Sequence, residues 1–394
     1  MSEKNENKQE THLQDYLAWR GDLTFAQDPF NEVDNLLLCL IAYIDFSRIP
    51  LLRTKRETDA LTLEVVCAQL TEKDEQRGLS QLDYIPVMRQ AAATARFSAV
   101  KMFGFESVRD EAEEMQFDAV SFLLPDHSIF VTFMGTDRSL VGWKEDFNMS
   151  FLSSVPAQRR AETYALEMAQ ACPDRDVRIG GHSKGGNLAV WAAAHLPEEV
   201  QDRLLAAYNN DGPGFSVDLL NTEGHRRIAE RVHTFVPESS IVGVLLEHAE
   251  DYEIIDSSYH AIMQHEPLSW TVVGNRFIRM QERTSIGKLS DDAMRDWLAS
   301  MTAEERKTFA DALFDVLSRG GTRHTLEEAH LSGLTGGAAL LRAFAGADEE
   351  SRRVIKEKLK RLAAEVGEEL KKSAEDGMAA AKNGLLSMLP DWIK

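Results

Sequence analysis

Basic residues are the first shortage in this 394-residue chain: 44 Lys and Arg stand against 64 Asp and Glu, a formal charge of −20 at pH 7. Nucleic-acid affinity comes largely from clustered cations that displace counterions from phosphates. The balance therefore argues against a phosphate-backbone binder, and against an anionic membrane surface as partner. Long apolar runs are missing as well. No stretch reaches the roughly 18 consecutive apolar residues that a spanning helix needs, which excludes a conventional transmembrane segment. The start, Met1 to Gln14, is polar and charged and reads as neither a signal peptide nor an anchor. Cysteine is scarce: Cys39, Cys67 and Cys172 are odd in number, far apart and without C-x-x-C spacing. They read as reduced, mostly buried thiols of a cytoplasmic protein. The histidines are scattered without metal-ligand spacing, so we expect no metal and no cofactor.

What is present is a long alternation of strand-type and helix-type segments, enough for one large or two ordinary domains. Residues 1–21 read as a loose polar tail. From Asp28 to Phe46 the chain is mostly apolar, with Asn31 or Asp34 as N-cap and Leu37, Leu40, Ile41 and Ile44 on one helical face. Thr58 to Leu70 and Tyr84 to Phe97 repeat that spacing, Pro86 fitting a first helical turn. Gln116 to Leu124 and Ser128 to Phe133 then flank Pro125-Asp126-His127 as a β-hairpin. Strands at Val177 to Gly180, Leu204 to Asn209 and Val232 to Val236 follow, separated by helical sequence. That order predicts an α/β architecture, a mostly parallel sheet with helices on both faces. Asp251 to Ser257 and Trp270 to Phe277 would add strands near its far edge.

Beyond Leu289 the β-type residues thin out, predicting a helical C-terminal extension over 289–394 behind a domain spanning 22–288. Thr302-Ala303-Glu304-Glu305 has capping-box spacing, and Asp348 caps a long helix bearing Ile355, Leu359, Leu362, Val366 and Leu370 at helical intervals. Gly320-Gly321 and Gly336-Gly337 mark loops between these helices. The charges of the long helix are mixed, so its apolar face suits docking or a protein partner better than a membrane. The helices before Phe97 and after Leu289 are both candidates for a lid.

The segment that carries chemistry is Val177-Arg178-Ile179-Gly180-Gly181-His182-Ser183-Lys184-Gly185-Gly186-Asn187. A strand, a G-x-S-x-G turn and a small-residue helix follow one another directly, the order of the nucleophile elbow in α/β-hydrolases. A serine on so tight a turn has its Oγ lifted clear of the backbone, and the flanking glycines admit close packing, so Ser183 is the candidate nucleophile. Such a serine needs a base, and the base needs an acid to orient it. Asp211, in Asn210-Asp211-Gly212-Pro213-Gly214 just past the next strand, is the preferred acid. Glu238, after the following strand, is its rival. For the base, His260 and His265 compete, and His265 is preferred because Pro267 and Trp270 constrain its loop. His182 adjoins the nucleophile, but adjacent side chains on a tight turn diverge; His233 and His248 are weaker candidates. The oxyanion needs preorganised N–H donors. The backbone of Lys184 offers one, and Thr136, in Phe133-Met134-Gly135-Thr136, offers a second N–H and a hydroxyl.

Phe133-Met134-Gly135-Thr136 followed by Gly142-Trp143-Lys144-Glu145-Asp146 is similar to the F-R-G-T and W-x-x-D region of class 3, fungal-type lipases, with Met134 in place of the usual Arg. Asn210-Asp211-Gly212-Pro213-Gly214-Phe215 resembles the D-P-A-G-P-x-F segment of pancreatic-type lipases, in which the Asp is the triad acid, whereas class 3 lipases place theirs one strand later, near Glu238. From Asp28-Pro29-Phe30-Asn31 through Gln264-His265-Glu266-Pro267 the chain also resembles the bacterial Mbeg-like group of lipase-related proteins, a domain of unknown function. The resemblance spans roughly residues 22 to 280 and implies the fold and serine-hydrolase chemistry. Together these readings predict a metal-independent carboxylic-ester hydrolase acting on lipids or acylated small molecules. An acyltransferase using the same triad, or a non-catalytic scaffold on this fold, are the alternatives.

Overall fold

Alternation of Phe, Val and Ile in the central hairpin sets the frame of the sheet. In a computed structural model, which describes residues 11–71, 84–137, 140–149, 152–215, 217–240, 242, 252–259, 261–284, 288, 296–319 and 346–375, eight strands form one sheet in chain order. They are β1 (Leu61–Thr62), β2 (Lys101–Asp110), β3 (Met115–Leu123), β4 (Ser128–Phe133), β5 (Asp176–His182), β6 (Leu204–Asn210), β7 (Val232–Pro237) and β8 (Glu253–Ile255). β1 to β4 pair antiparallel; β4 to β8 pair parallel. The parallel half needs crossovers, and helices supply them.

Both faces are covered, which is why β4 is buried at every position. Phe130 points into one layer with α1 (Leu13–Arg20), α2 (Glu32–Ile41), α3 (Leu63–Cys67) and α4 (Ile85–Ala92). Ile129, Val131 and Phe133 point into the other. There they meet α6 (Pro156–Ala171) and α7 (Lys184–His195), while α5 (Leu140–Asn148) and α8 (Glu223–Ile228) complete the crossovers. This is an α/β-hydrolase fold.

Four expectations change. The loose tail through Gly21 is corrected: residues 13–20 form α1, and Leu13, Tyr16 and Leu17 are buried in the core. The helix expected over Thr58–Leu70 shrinks to α3, because Leu61 and Thr62 pair with Met102 and Lys101 of β2 and tertiary pairing overrides local propensity. β2 is not anticipated at all. Its alternation is broken where Gly104 adopts φ +72 and the register shifts between Phe103 and Glu106. A Cβ there would lie 2.8 Å from the sulfur of Met168, so only glycine lets the bulge pack on α6. Trp270–Phe277 does not extend the main sheet. It folds into its own hairpin, β9 (Val272–Val273) and β10 (Arg276–Phe277), because Gly274 at φ +65 provides a two-residue turn.

Past residue 288, α9 (Ala303–Arg319) and α10 (Glu349–Glu375) have the predicted caps: Thr302 and Glu305 bond reciprocally, and the Ser351 N–H donates to Asp348. Trp297, Phe309 and Val354 share a small core with Phe147 of α5, and Leu359 and Leu362 pack against it. The face of α10 is therefore occupied within the chain at those positions. Gly320-Gly321 and Gly336-Gly337 lie outside the described residues, as do the side chains of Val366 and Leu370. No described helix is long and apolar enough to cross a membrane.

One buried ion pair ties the first layer together. Arg96 donates through Nε and Nη2 to Asp34, at 2.7 and 2.5 Å, and to the carbonyls of Leu23, Asp28 and Pro29. Asp34 also closes the capping box of α2 with Asn31. Removing one partner leaves the other charge buried and uncompensated, so Asp34→Ala is expected to cost about 3–5 kcal/mol in denaturant unfolding. Asp34→Leu combined with Arg96→Met should recover most of that loss.

Candidate active site

Parallel pairing does not stop at the strand ends. The Ser183 N–H donates to Asn210 O at 2.9 Å, the Asp211 N–H to Phe235 O at 2.8 Å, and the Glu238 N–H to Ile255 O at 3.0 Å. These bonds hold the first residues beyond β5, β6 and β7 side by side along one edge, where open α/β sheets bind their ligands.

Ser183 sits between β5 and α7 at φ +59, a conformation that costs a non-glycine residue about 1–3 kcal/mol. Glycine at 181 and 185 makes the turn feasible. A Cβ on Gly181 would come within 2.1 Å of the Gly185 backbone, and one on Gly185 within 2.1 Å of Phe133 O. Asp211 is the second strained residue, at φ +55, and is fully buried. Its loop is pinned by Asn187, whose amide donates to Pro213 O and Gly214 O.

The structure brings three of the expected residues into one chain of hydrogen bonds. His265, ending a 3-10 turn over Ala261–His265, places Nε2 3.0 Å from Ser183 Oγ and Nδ1 2.6 Å from Asp211 Oδ2. A carboxylate only accepts, so Nδ1 carries the proton and Nε2 presents its lone pair to the serine hydroxyl. The His265 ring meets Asp211 and not Glu238, which is half-buried at the end of β7. His233 stacks on Tyr208 at a ring separation of 5.3 Å; His248 and His260 lie outside the described residues.

The donors for an oxyanion are also adjacent. Gly135 lies against Ser183: a Cβ on it would be 2.9 Å from Ser183 Cβ. Among the described residues the N–H groups of Thr136 and Lys184 have no backbone acceptor, and Lys184 opens α7, where the helix end is electropositive. The Thr136 hydroxyl donates to Asp146, which leaves the backbone N–H as its free donor. Burial raises Asp146 to about 6, against the pull of Lys184 and the Thr136 hydrogen bond. Met134, where the fungal-type motif has Arg, is buried in the core beside β3.

Three supporting contacts are not read from the sequence, although His182 itself is considered there as a base. Ser240 donates to Asp211 Oδ2 at 2.7 Å. His182 does diverge from Ser183, but its Nε2 lies 3.0 Å from the His265 carbonyl and its Nδ1 2.9 Å from the Tyr43 hydroxyl. Because a carbonyl only accepts, His182 is the Nε2–H tautomer and Tyr43 donates to Nδ1. Polar residues flanking the elbow and following β7 were the available signals for His182 and Ser240. Tyr43 had none, since it arrives from α2's end across the sheet. Among the described residues no group of three or more His, Cys, Asp or Glu is arranged to hold a metal ion.

Burial, and after it the nearby His265, push His182 well below the ordinary imidazole value, so it stays neutral in the folded protein. The unfolded chain takes up that proton near pH 6.5, and the stability His182 contributes at pH 7 is lost as pH falls below that point, by at most about 1.4 kcal/mol per unit. Unfolding free energies of wild type and His182→Asn between pH 5 and 7 are expected to show a shallower slope in the variant.

Comparison with known proteins gives a family and distant structural likenesses. Rhizomucor miehei lipase in its propeptide complex is 19% identical over 40% of this chain and 57% of that one, with a TM-score of 0.31. Lipase II from Rhizopus niveus is 15% identical over 43% and 69%, also at 0.31. The lipase from Rhizopus microsporus var. chinensis is 16% identical over 48% and 69%, again at 0.31. The chain thus spans little more than half the length of the first of these. No curated protein matches it. The Mbeg1-like family model matches residues 91–315, more than half of the chain and including Ser183, Asp211 and His265, and the chain belongs to the Mbeg1-like family.

Proposed function

We propose that the protein is a serine hydrolase that cleaves carboxylic esters of lipids or acylated small molecules. The observation that carries this reading is the continuous chain Ser183 Oγ, His265 Nε2, His265 Nδ1, Asp211 Oδ2, with links of 3.0 and 2.6 Å. His265 accepts the Ser183 proton as Oγ attacks the acyl carbonyl. The N–H groups of Thr136 and Lys184 receive the oxyanion, each commonly worth about 10²–10³ in rate. The tetrahedral intermediate expels the alcohol, which takes the proton back from His265. Water, activated by the same imidazole, then attacks the acyl-enzyme and releases the acid. Asp211 keeps the tautomer and holds the imidazolium that forms in both steps.

The division of the chain at residue 288 and a cytoplasmic location belong to the same proposal. Supporting the first are the small clusters that α9 and α10 form apart from the two cores of the sheet; supporting the second are three buried, unpaired cysteines.

A fluorophosphonate probe is expected to label the wild type and not Ser183→Ala, and Asp211→Asn should lower kcat on a p-nitrophenyl ester by about 10⁴ while the fold is retained. An ester panel of graded acyl length then ranks substrates. Folded wild type that neither labels nor turns over any ester would refute the reading; transfer of the acyl group to an added alcohol in preference to water would make it an acyltransferase.

A further inference from the structure

Resting on the esterase reading, we propose that Gln116 is a positioning residue for the oxyanion hole: it fixes the Gly135–Thr136 peptide so that the Thr136 N–H faces Ser183, and the Lys184 ammonium dictates which way its amide points. Gln116, the second residue of β3, is fully buried. Lys184 Nζ lies 2.5 Å from Gln116 Oε1, 3.0 Å from Gln116 O and 3.0 Å from Glu145 Oε2. An ammonium only donates, so the amide oxygen must face it. The amide NH₂ is thereby turned to the opposite side, where two groups that only accept are waiting: Asp118 Oδ2 at 2.9 Å and Gly135 O at 3.2 Å.

The consequence follows from peptide geometry. The described chain has no cis peptide, and in a trans peptide the C=O and N–H point in opposite directions. Holding Gly135 O toward Gln116 turns the Thr136 N–H away from the interior, on the side where Gly135 abuts Ser183 and His182 O. The Thr136 hydroxyl, bonded to Asp146, anchors the same residue from its other end. The support behind Gln116 is itself satisfied: its N–H donates to Glu145 Oε2 at 3.1 Å, and Glu145 Oε1 accepts from Ala157 N at 2.9 Å. Lys184 thus acts twice, through its N–H at the oxyanion and through its ammonium behind it.

Gln116→Glu tests this with almost no change in shape, because it sets an oxygen where the NH₂ faced Gly135 O. Active sites are first titrated by the burst from a p-nitrophenyl ester, so that misfolded protein is not counted. Expected are a kcat per titrated site lower by about 10²-fold, the cost of losing one oxyanion donor, and a KM changed by no more than about threefold. Affinity for a trifluoromethyl ketone, whose adduct with Ser183 carries the oxyanion, should fall in parallel with kcat/KM. If Gln116→Glu does not fold, Gln116→Met supplies the same measurement. A variant that only lowers Tm, with kcat per titrated site and ketone affinity unchanged, overturns the proposal. A wild type with neither burst nor turnover sinks the esterase reading and this proposal with it, an outcome the wild-type control separates from the former.

Discussion

The continuation of parallel ladder bonds beyond the ends of β5, β6 and β7 is the constraint on which the site depends. Each bond fixes one residue just past a strand, and two of those residues are Ser183 and Asp211. Both are held at positive φ. Such strain persists only where the surroundings over-determine it. Here the surroundings are a sheet buried on both faces and glycines whose neighbours leave no room for a Cβ. The geometry that joins Ser183, His265 and Asp211 is therefore a property of the sheet edge, and the loops merely complete it.

Around that edge the polar groups form two supporting sets, each assigned by the rule that some groups only donate and others only accept. Tyr43, His182 and the His265 carbonyl make one set, which holds His265 from the side of its backbone. Lys184, Gln116, Glu145 and Asp118 make the other, behind the Gly135–Thr136 loop. Buried networks of this kind add little net stability, because desolvation offsets much of the attraction. Their value here is orientational: every member has a partner that permits one arrangement.

The helices divide by the same logic. α1 to α4 bury the first face of the sheet and deliver Tyr43 to the site, while α6 and α7 bury the second. The described part of α9 and α10 docks on α5, the helix that follows the Gly135–Thr136 loop, through Phe147 and the Lys144–Asp311 ion pair at 2.8 Å. An α5 braced on both sides also keeps Glu145 and Asp146 in place, so the C-terminal helices contribute to the rear of the site without lining it.

Much of this architecture is legible in the amino-acid sequence. The elbow, the hairpin, the parallel strands and the caps at Asn31, Thr302 and Asp348 are local signals, set by turn chemistry and by periodicity within a few residues. Asp211 and His265 are legible because chain order and turn residues mark strand ends. β2 is not, since Gly104 breaks the alternation that identifies a strand, and α1 is not, since a short helix with little segregation of apolar residues looks like a tail until Leu13, Tyr16 and Leu17 meet the core. The local sequence by itself determined the candidate nucleophile, the acid and base candidates, and the succession of strands and helices. Only the tertiary structure decided that Nδ1 of His265 meets Asp211 rather than Glu238, that Tyr43 and Ser240 belong to the site, and that the Lys184 ammonium points back toward Gln116. Those contacts join residues tens to more than a hundred positions apart, and no local pattern encodes the direction in which a side chain will find its partner.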